Sequence, residues 1–153
     1  MKEIELFIKE SKIIFSDFNR PHNSNDFEDD PENTEYYKLL RNIAREDLTI
    51  DLMGDVAFGP FSSLSSHSLG YYMPRLIEFC LTGLKDVSSE PFMLLFINVI
   101  GDNPNSERFY LFKKRHKKAI HSTFNIMKKY YYELIKENGW NKELEMAIEK
   151  WDL

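Results

Sequence analysis

The parts of this 153-residue chain able to do chemistry are two charge constellations and one hydroxyl–imidazole cluster. Asp47, Asp51 and Asp55 recur every four residues, so a helix over them stacks three carboxylates in one line. Such a line repels itself and suits a divalent cation or the basic side chains of a partner. Ordinary capping and surface carboxylates are the plainer alternative. Gly54 weakens a helix there and no His or Cys stands nearby, which disfavours a metal. Upstream lie Asp26, Glu28, Asp29, Asp30, Glu32 and Glu35 with Pro31 and few apolar residues, so residues 19–33 read as an acidic loop, mobile when unbound.

The opposite charge gathers in Lys113, Lys114, Arg115, Lys117 and Lys118, around His116. These cations fall at an expected helix start, where each opposes the macrodipole at a cost of about a few tenths of a kcal/mol. Nucleic-acid phosphates, an acidic protein or the chain's own acidic loop can offset that cost. Tyr130, Tyr131 and Tyr132 offer stacking surfaces for the nucleic-acid version. His116 and His121 are five apart, about 140° around a helix, and do not converge on a metal. Ser66, His67 and Ser68 put hydroxyls beside an imidazole, but sequence neighbours on a turn seldom point at each other as a nucleophile and base must. Cys80, the single cysteine, sits on an apolar face and reads as a small buried hydrophobe. There is no P-loop, no Gly-x-Gly-x-x-Gly and no His-Glu-x-x-His, and Asp102 to Glu107 lacks the central glycine of a calcium loop. The expectation is a non-enzymatic protein without a cofactor.

The elements that must carry these groups are helical. Ile4, Phe7, Ile8, Ile14, Phe15 and Phe18 mark a first helix over roughly residues 2 to 18. Thr34 caps a second through Tyr36, Tyr37, Leu40, Ile43 and Ala44. Ser65 is an N-cap for the central stretch, where Leu69, Tyr72, Leu76, Phe79, Cys80 and Leu84 share a face and Gly83 suits a left-handed C-cap. Pro74 interrupts it. The residue before a proline avoids helical geometry, so the expectation is a short helix over Ser66 to Tyr72 and a second one opened by Pro74. The alternative is one helix bent near Gly70. Of Tyr71 and Tyr72, one should be buried with its hydroxyl on backbone and the other half exposed. Ser89 caps a helix with Pro91 in its first turn, and Phe92 to Ile100 reads as a short buried helix because no partner strands are evident, although periodicity does not separate it from a buried strand. A long helix over about Lys113 to Glu137 stops at Asn138-Gly139, and Asn141 caps the last one.

Leu64-Ser65, Leu69, Tyr71-Tyr72, Pro74 and Leu76 resemble a motif of a bacterial family of small proteins of unknown function, Leu-(Ser/Thr)-Pro-Glu-Ala-Phe-x-Tyr-Tyr-Leu-Pro-x-(Tyr/Phe)-Leu. Phe112, Ala119, Ile120 and Phe124 look like that family's later helix. The likeness spans residues 34 to 135; Ser66 and His67 replace the usual Pro-Glu, and Gly70 departs from the pattern. It implies an all-helical fold and no particular activity.

The fold expected is therefore all-α, a single compact domain of six or seven helices with a proline-broken central helix. Its core should hold Phe7, Phe18, Leu40, Leu69, Tyr72, Leu76, Phe79, Phe96, Ile120, Phe124, Met127 and Leu134. The opening residues form an acidic amphipathic helix rather than a leader, and no apolar run spans a bilayer, which predicts a cytoplasmic protein without membrane contact. Net charge is −5, split between 9 basic and 19 acidic residues in 1–107 and 11 basic and 6 acidic in 108–153. Small size, acidic balance and absence of a catalytic set point to a protein-binding module. The concrete version is an immunity protein that neutralises a cognate basic toxin domain through Asp26, Glu28, Asp29, Asp30, Glu32, Asp47, Asp51 and Asp55. Opposed charge would speed that encounter. Nucleic-acid binding through Lys113 to Lys118 is the second reading, made unlikely by the negative net charge. A metal-dependent enzyme using the aspartates is the third.

Overall fold

Helix α2, Ser66–Thr82, is the element the others pack around. In the computed structural model, residues 2–21, 40, 42–53, 61–83 and 91–153 are described. Four further α-helices accompany α2: α1 (Lys2–Ile14), α3 (Phe92–Ile100), α4 (Lys114–Glu137) and α5 (Asn141–Trp151). Short 3₁₀ turns occupy Arg45–Asp47, Ile50–Met53, Phe61–Ser63 and Glu107–Phe109. The chain is all-α. The described residues hold five complete α-helices where six or seven are expected. Of the helix expected from Thr34, Leu40 is helical, but Ile43 and Ala44 are not, Ala44 being extended at φ −69°, ψ 156°; the rest of it, the capping Ser89 and the acidic residues 26–33 fall outside the described residues.

α2 contacts α1, α3 and α4 and the turns at Arg45–Asp47 and Glu107–Phe109; α4 pairs with α5, and α3 with α5. This crowding explains why Pro74 does not split the helix. Ser66 to Thr82 forms one continuous helix with Pro74 inside, correcting the expected break. A mid-helix proline costs about 3 kcal/mol, but residues on every side of α2, from Leu69 and Gly70 to Leu76 and Ile77, are buried. Packing rather than backbone propensity holds such a helix together.

Gly70 has a task besides the room for a bend that the alternative reading gave it. A Cβ added there would collide with the ring of Phe18, which lies against the Gly70 backbone. Phe18 in turn packs against Phe15, Phe112 and His116 at centroid distances of 6.1, 5.4 and 5.0 Å. The missing side chain thus lets the turn after α1 close onto α2.

Ser65 caps α2 as expected, accepting the Ser68 N–H at 3.2 Å. Gly83 ends it, but at φ −78° rather than in the left-handed region. Gly139, at φ 77°, does adopt that region at the end of α4. Near that end α4 leaves helical geometry at Tyr131 (φ −128°, ψ 15°), whose hydroxyl donates to Leu81 O at 2.9 Å. Asn141 is the first residue of α5 and Trp140 its N-cap, one place earlier than expected. Pro91 likewise is the N-cap of α3 rather than a first-turn residue.

The expected core residues are buried except Leu134, which is partly so. Trp151 closes the far end of the core: its indole N–H donates to Ile100 O at 3.1 Å and its ring meets Phe109 edge-on at 4.9 Å. No helix among the described residues is long and apolar enough to cross a membrane.

Candidate functional site

The tyrosine pair pins the acidic turns to α2. Tyr72 is fully buried and its hydroxyl lies 2.8 Å from Leu40 O and 2.9 Å from Ile43 O. Burial pushes its pKa up to about 12. Tyr71 is also buried, not half exposed as expected; its hydroxyl accepts the Arg45 backbone N–H at 3.0 Å. The Arg45 guanidinium lies 4.6 Å over the Tyr71 ring and its Nε donates to Tyr71 O. Arg75 adds a third fastening, Nε to Leu48 O at 3.0 Å.

Held this way, Glu46, Asp47 and Asp51 face solvent. Asp47 ends one 3₁₀ turn and Asp51 belongs to the next. Asp47 and Asp51 thus do not share the single helical line that a helix over them would make. Leu48 is drawn into the core between the turns, and burying it takes precedence over a regular helix. Neither aspartate forms an ion pair among the described residues. Asp55 and the loop carboxylates Asp26, Glu28, Asp29, Asp30 and Glu32 lie outside the described residues. Among those described, no three His, Cys, Asp or Glu side chains gather as a metal site.

The basic run does start a helix, with Lys113 as N-cap of α4. Part of its charge is already answered. Asp17, in the turn after α1, receives Arg115 Nη2 at 2.5 Å and Lys113 Nζ at 3.9 Å. His116 is buried, and its Nε2 lies 3.0 Å from Asp17 Oδ1. Its Nδ1 accepts the Lys113 backbone N–H at 2.8 Å, filling one orphan donor of the helix start. With Nδ1 an acceptor, Nε2 must carry the proton, so both ring nitrogens are committed. Burial lowers the His116 pKa, against the opposing pull of Asp17. Asp17 is also pushed up by its partial burial, but the hydrogen bond and charge of His116 and the charge of Arg115 bring it below the usual carboxylate range. Asp17 was not singled out by sequence reasoning. The one local signal is a carboxylate between Phe15 and Phe18, at the end of an amphipathic helix.

Tyr130 and Tyr131 are partly buried, and their hydroxyls go to Glu3 and to Leu81 O. Lys129 joins Tyr130 on Glu3 at 2.7 Å. Both hydroxyls and the faces against the core are thus engaged, unlike the open platforms that stack bases.

Ser66, His67 and Ser68 diverge. Ser66 Oγ accepts the Leu111 N–H at 3.1 Å, His67 Nε2 contacts Asn19 O at 2.7 Å, and Ser68 Oγ meets Ser65 Oγ at 3.2 Å. They tie α2's first turn to its surroundings. Cys80 is buried and its thiol pKa is pushed up by burial, which disfavours the thiolate.

A groove of about 950 Å³ opens between the start of α2, the end of α3 and the 101–110 segment. Ser65, Ser66, Asn98, Asp102, Glu107 and Arg108 are among its walls. Arg108 brackets it, with Nη1 on Val99 O and Nη2 on Ser62 O, each at 2.8 Å. Sequence reasoning overlooked this site, although an asparagine inside the apolar run Phe92–Ile100 was a legible sign.

No family model, curated protein or solved structure matches the chain.

Proposed function

We propose that this chain is a protein-binding module for a basic partner. The observation that carries the reading is the distribution of uncompensated charge. Part of the basic run is spent on Asp17, whereas Glu46, Asp47 and Asp51 are presented to solvent on turns fastened to the core by Tyr71, Tyr72 and Arg75. Rigidly held carboxylates steer a cationic surface toward them and lose little freedom when it arrives. The concrete form of the reading is a cytoplasmic immunity protein that neutralises a cognate toxin domain, since toxins acting on nucleic acids are often basic. On this reading Asp26, Glu28, Asp29, Asp30, Glu32 and Asp55, outside the described residues, are further carboxylates for the basic partner.

The test is affinity purification of the tagged chain at low ionic strength from cells that encode it. A basic protein should co-purify, leave as salt is raised, and be lost from a variant with Asp29, Asp30, Asp47 and Asp51 each changed to Lys. Undiminished capture by that variant would sink the reading.

A further inference from the structure

We propose that the groove beside α3 receives an extended stretch of the basic partner, with a lysine or arginine side chain seated against Asp102 and Glu107. This rests on the protein-binding reading and adds a second contact surface to it.

Three independent features support the assignment. The first is Asn98. Eight of the nine residues of α3 are buried, and the exception is Asn98, which is exposed and lines the groove. Its carboxamide has no hydrogen-bond partner among the described residues. A primary amide offers one acceptor and two donors, which matches the alternating N–H and C=O groups of an extended main chain.

The second is charge. Asp102 and Glu107 both line the groove and are exposed. The Asp102 carboxylate is 81% exposed and meets Lys150 only at 3.7 Å, too long for a hydrogen bond, so an incoming cation can displace that contact. The cation in the wall, Arg108, has its two terminal nitrogens on main-chain carbonyls. What the groove offers a ligand is thus anionic.

The third is the rim. Tyr110, also lining the groove, is 74% exposed, and the adjacent Leu111 is 40% exposed. Tyrosine is among the side chains enriched in the anchors of protein interfaces. The 950 Å³ volume, open to solvent, suits a length of chain. A small anion has no free cation to meet, and two carboxylates make a poor metal site.

The test uses the ¹⁵N-labelled full chain and a blocked hexapeptide, acetyl-Gly-Ala-Lys-Ala-Ser-Gly-amide, with versions carrying Gln or Glu in place of Lys. Titration of the Lys peptide should shift the Asn98 side-chain amide and the backbone signals of 102 and 106–111. The Gln peptide, and the Lys peptide against an Asp102→Asn/Glu107→Gln variant, should bind about tenfold more weakly. No saturable shift at these positions, or equal shifts with the Glu peptide, overturns the assignment. So does a dimer in light scattering that Asn98→Ala disperses, since the groove then belongs to a second copy. If the four-lysine variant releases the captured partner but Asn98→Ala/Glu107→Gln does not weaken it, the groove assignment fails while the binding reading stands. Release by neither removes both.

Discussion

Asp17 and His116, 99 residues apart in the chain, meet at 3.0 Å and join the turn after α1 to the first turn of α4. The imidazole is enclosed by Phe15, Phe18 and Phe112 at centroid distances of 4.9, 5.0 and 5.9 Å. A second ring proton would expel the Lys113 N–H from Nδ1, and the nearby Arg115 charge opposes it too.

The folded protein therefore holds His116 neutral, with its pKa below that of an unfolded histidine, about 6.5. As pH falls through that value the unfolded chain takes up a proton that the folded one refuses, and stability declines until the folded pKa is passed. Asp17 acts separately: its depressed pKa stabilises the fold above about 3.9 and that contribution is lost as pH falls through the folded value. Urea midpoints measured at pH 7.5 and 5.5 should drop for the native chain and change less for His116→Gln. Equal drops in both proteins would refute the role given to His116.

Gly70→Ala should destabilise despite adding a better helix former. The methyl gain in helix propensity is about 1 kcal/mol. Displacing Phe18 from its place among Phe15, Phe112 and His116 should outweigh it, for a net loss of roughly 1–2 kcal/mol. Because the clash is with one ring, a Gly70→Ala/Phe18→Leu double variant should lose less than the sum of the two single changes. Strict additivity in chemical denaturation would show that the ring is not what the glycine accommodates.

Tyr72→Phe removes the donor shared by Leu40 O and Ile43 O and should cost roughly 1–3 kcal/mol. In the native chain this phenol stays neutral to about pH 12. Its raised pKa contributes stability that is complete below the unfolded value of about 10 and is lost as pH rises toward 12. Absorbance titration at 295 nm should show one tyrosine fewer ionising late in Tyr72→Phe than in the native protein. An unchanged late phase would assign it to another residue.

Single-stranded DNA or RNA should not be retained by the chain in a low-salt filter assay. Lys113 and Arg115 are engaged with Asp17, and Tyr130 and Tyr131 hydroxyls with Glu3 and Leu81. Salt-sensitive retention that disappears on Lys114→Glu/Lys118→Glu would instead favour the basic run as the working surface.

The amino-acid sequence by itself determined what repeats at short range. The apolar faces of α1, α2 and α4, the Ser65 cap and the Asn138-Gly139 stop were legible because a helix writes its pattern every three to four residues; Phe92–Ile100, apolar almost throughout, carries no such period, and the structure decided that it is a helix. Tertiary structure decided which faces meet. That α2 runs through Pro74, that Gly70 exists for Phe18, and that both tyrosines are buried follow from packing on all sides of one helix. The same holds for the charges. Composition showed a basic run and scattered carboxylates, but only long-range contacts bring Asp17 to Arg115 and His116 and leave Asp47 and Asp51 on separate turns. Asn98 and Glu107 become neighbours of one groove for that reason too. Local periodicity carries no record of which distant side chain will fill a given contact, because that choice is made by the packing of whole helices.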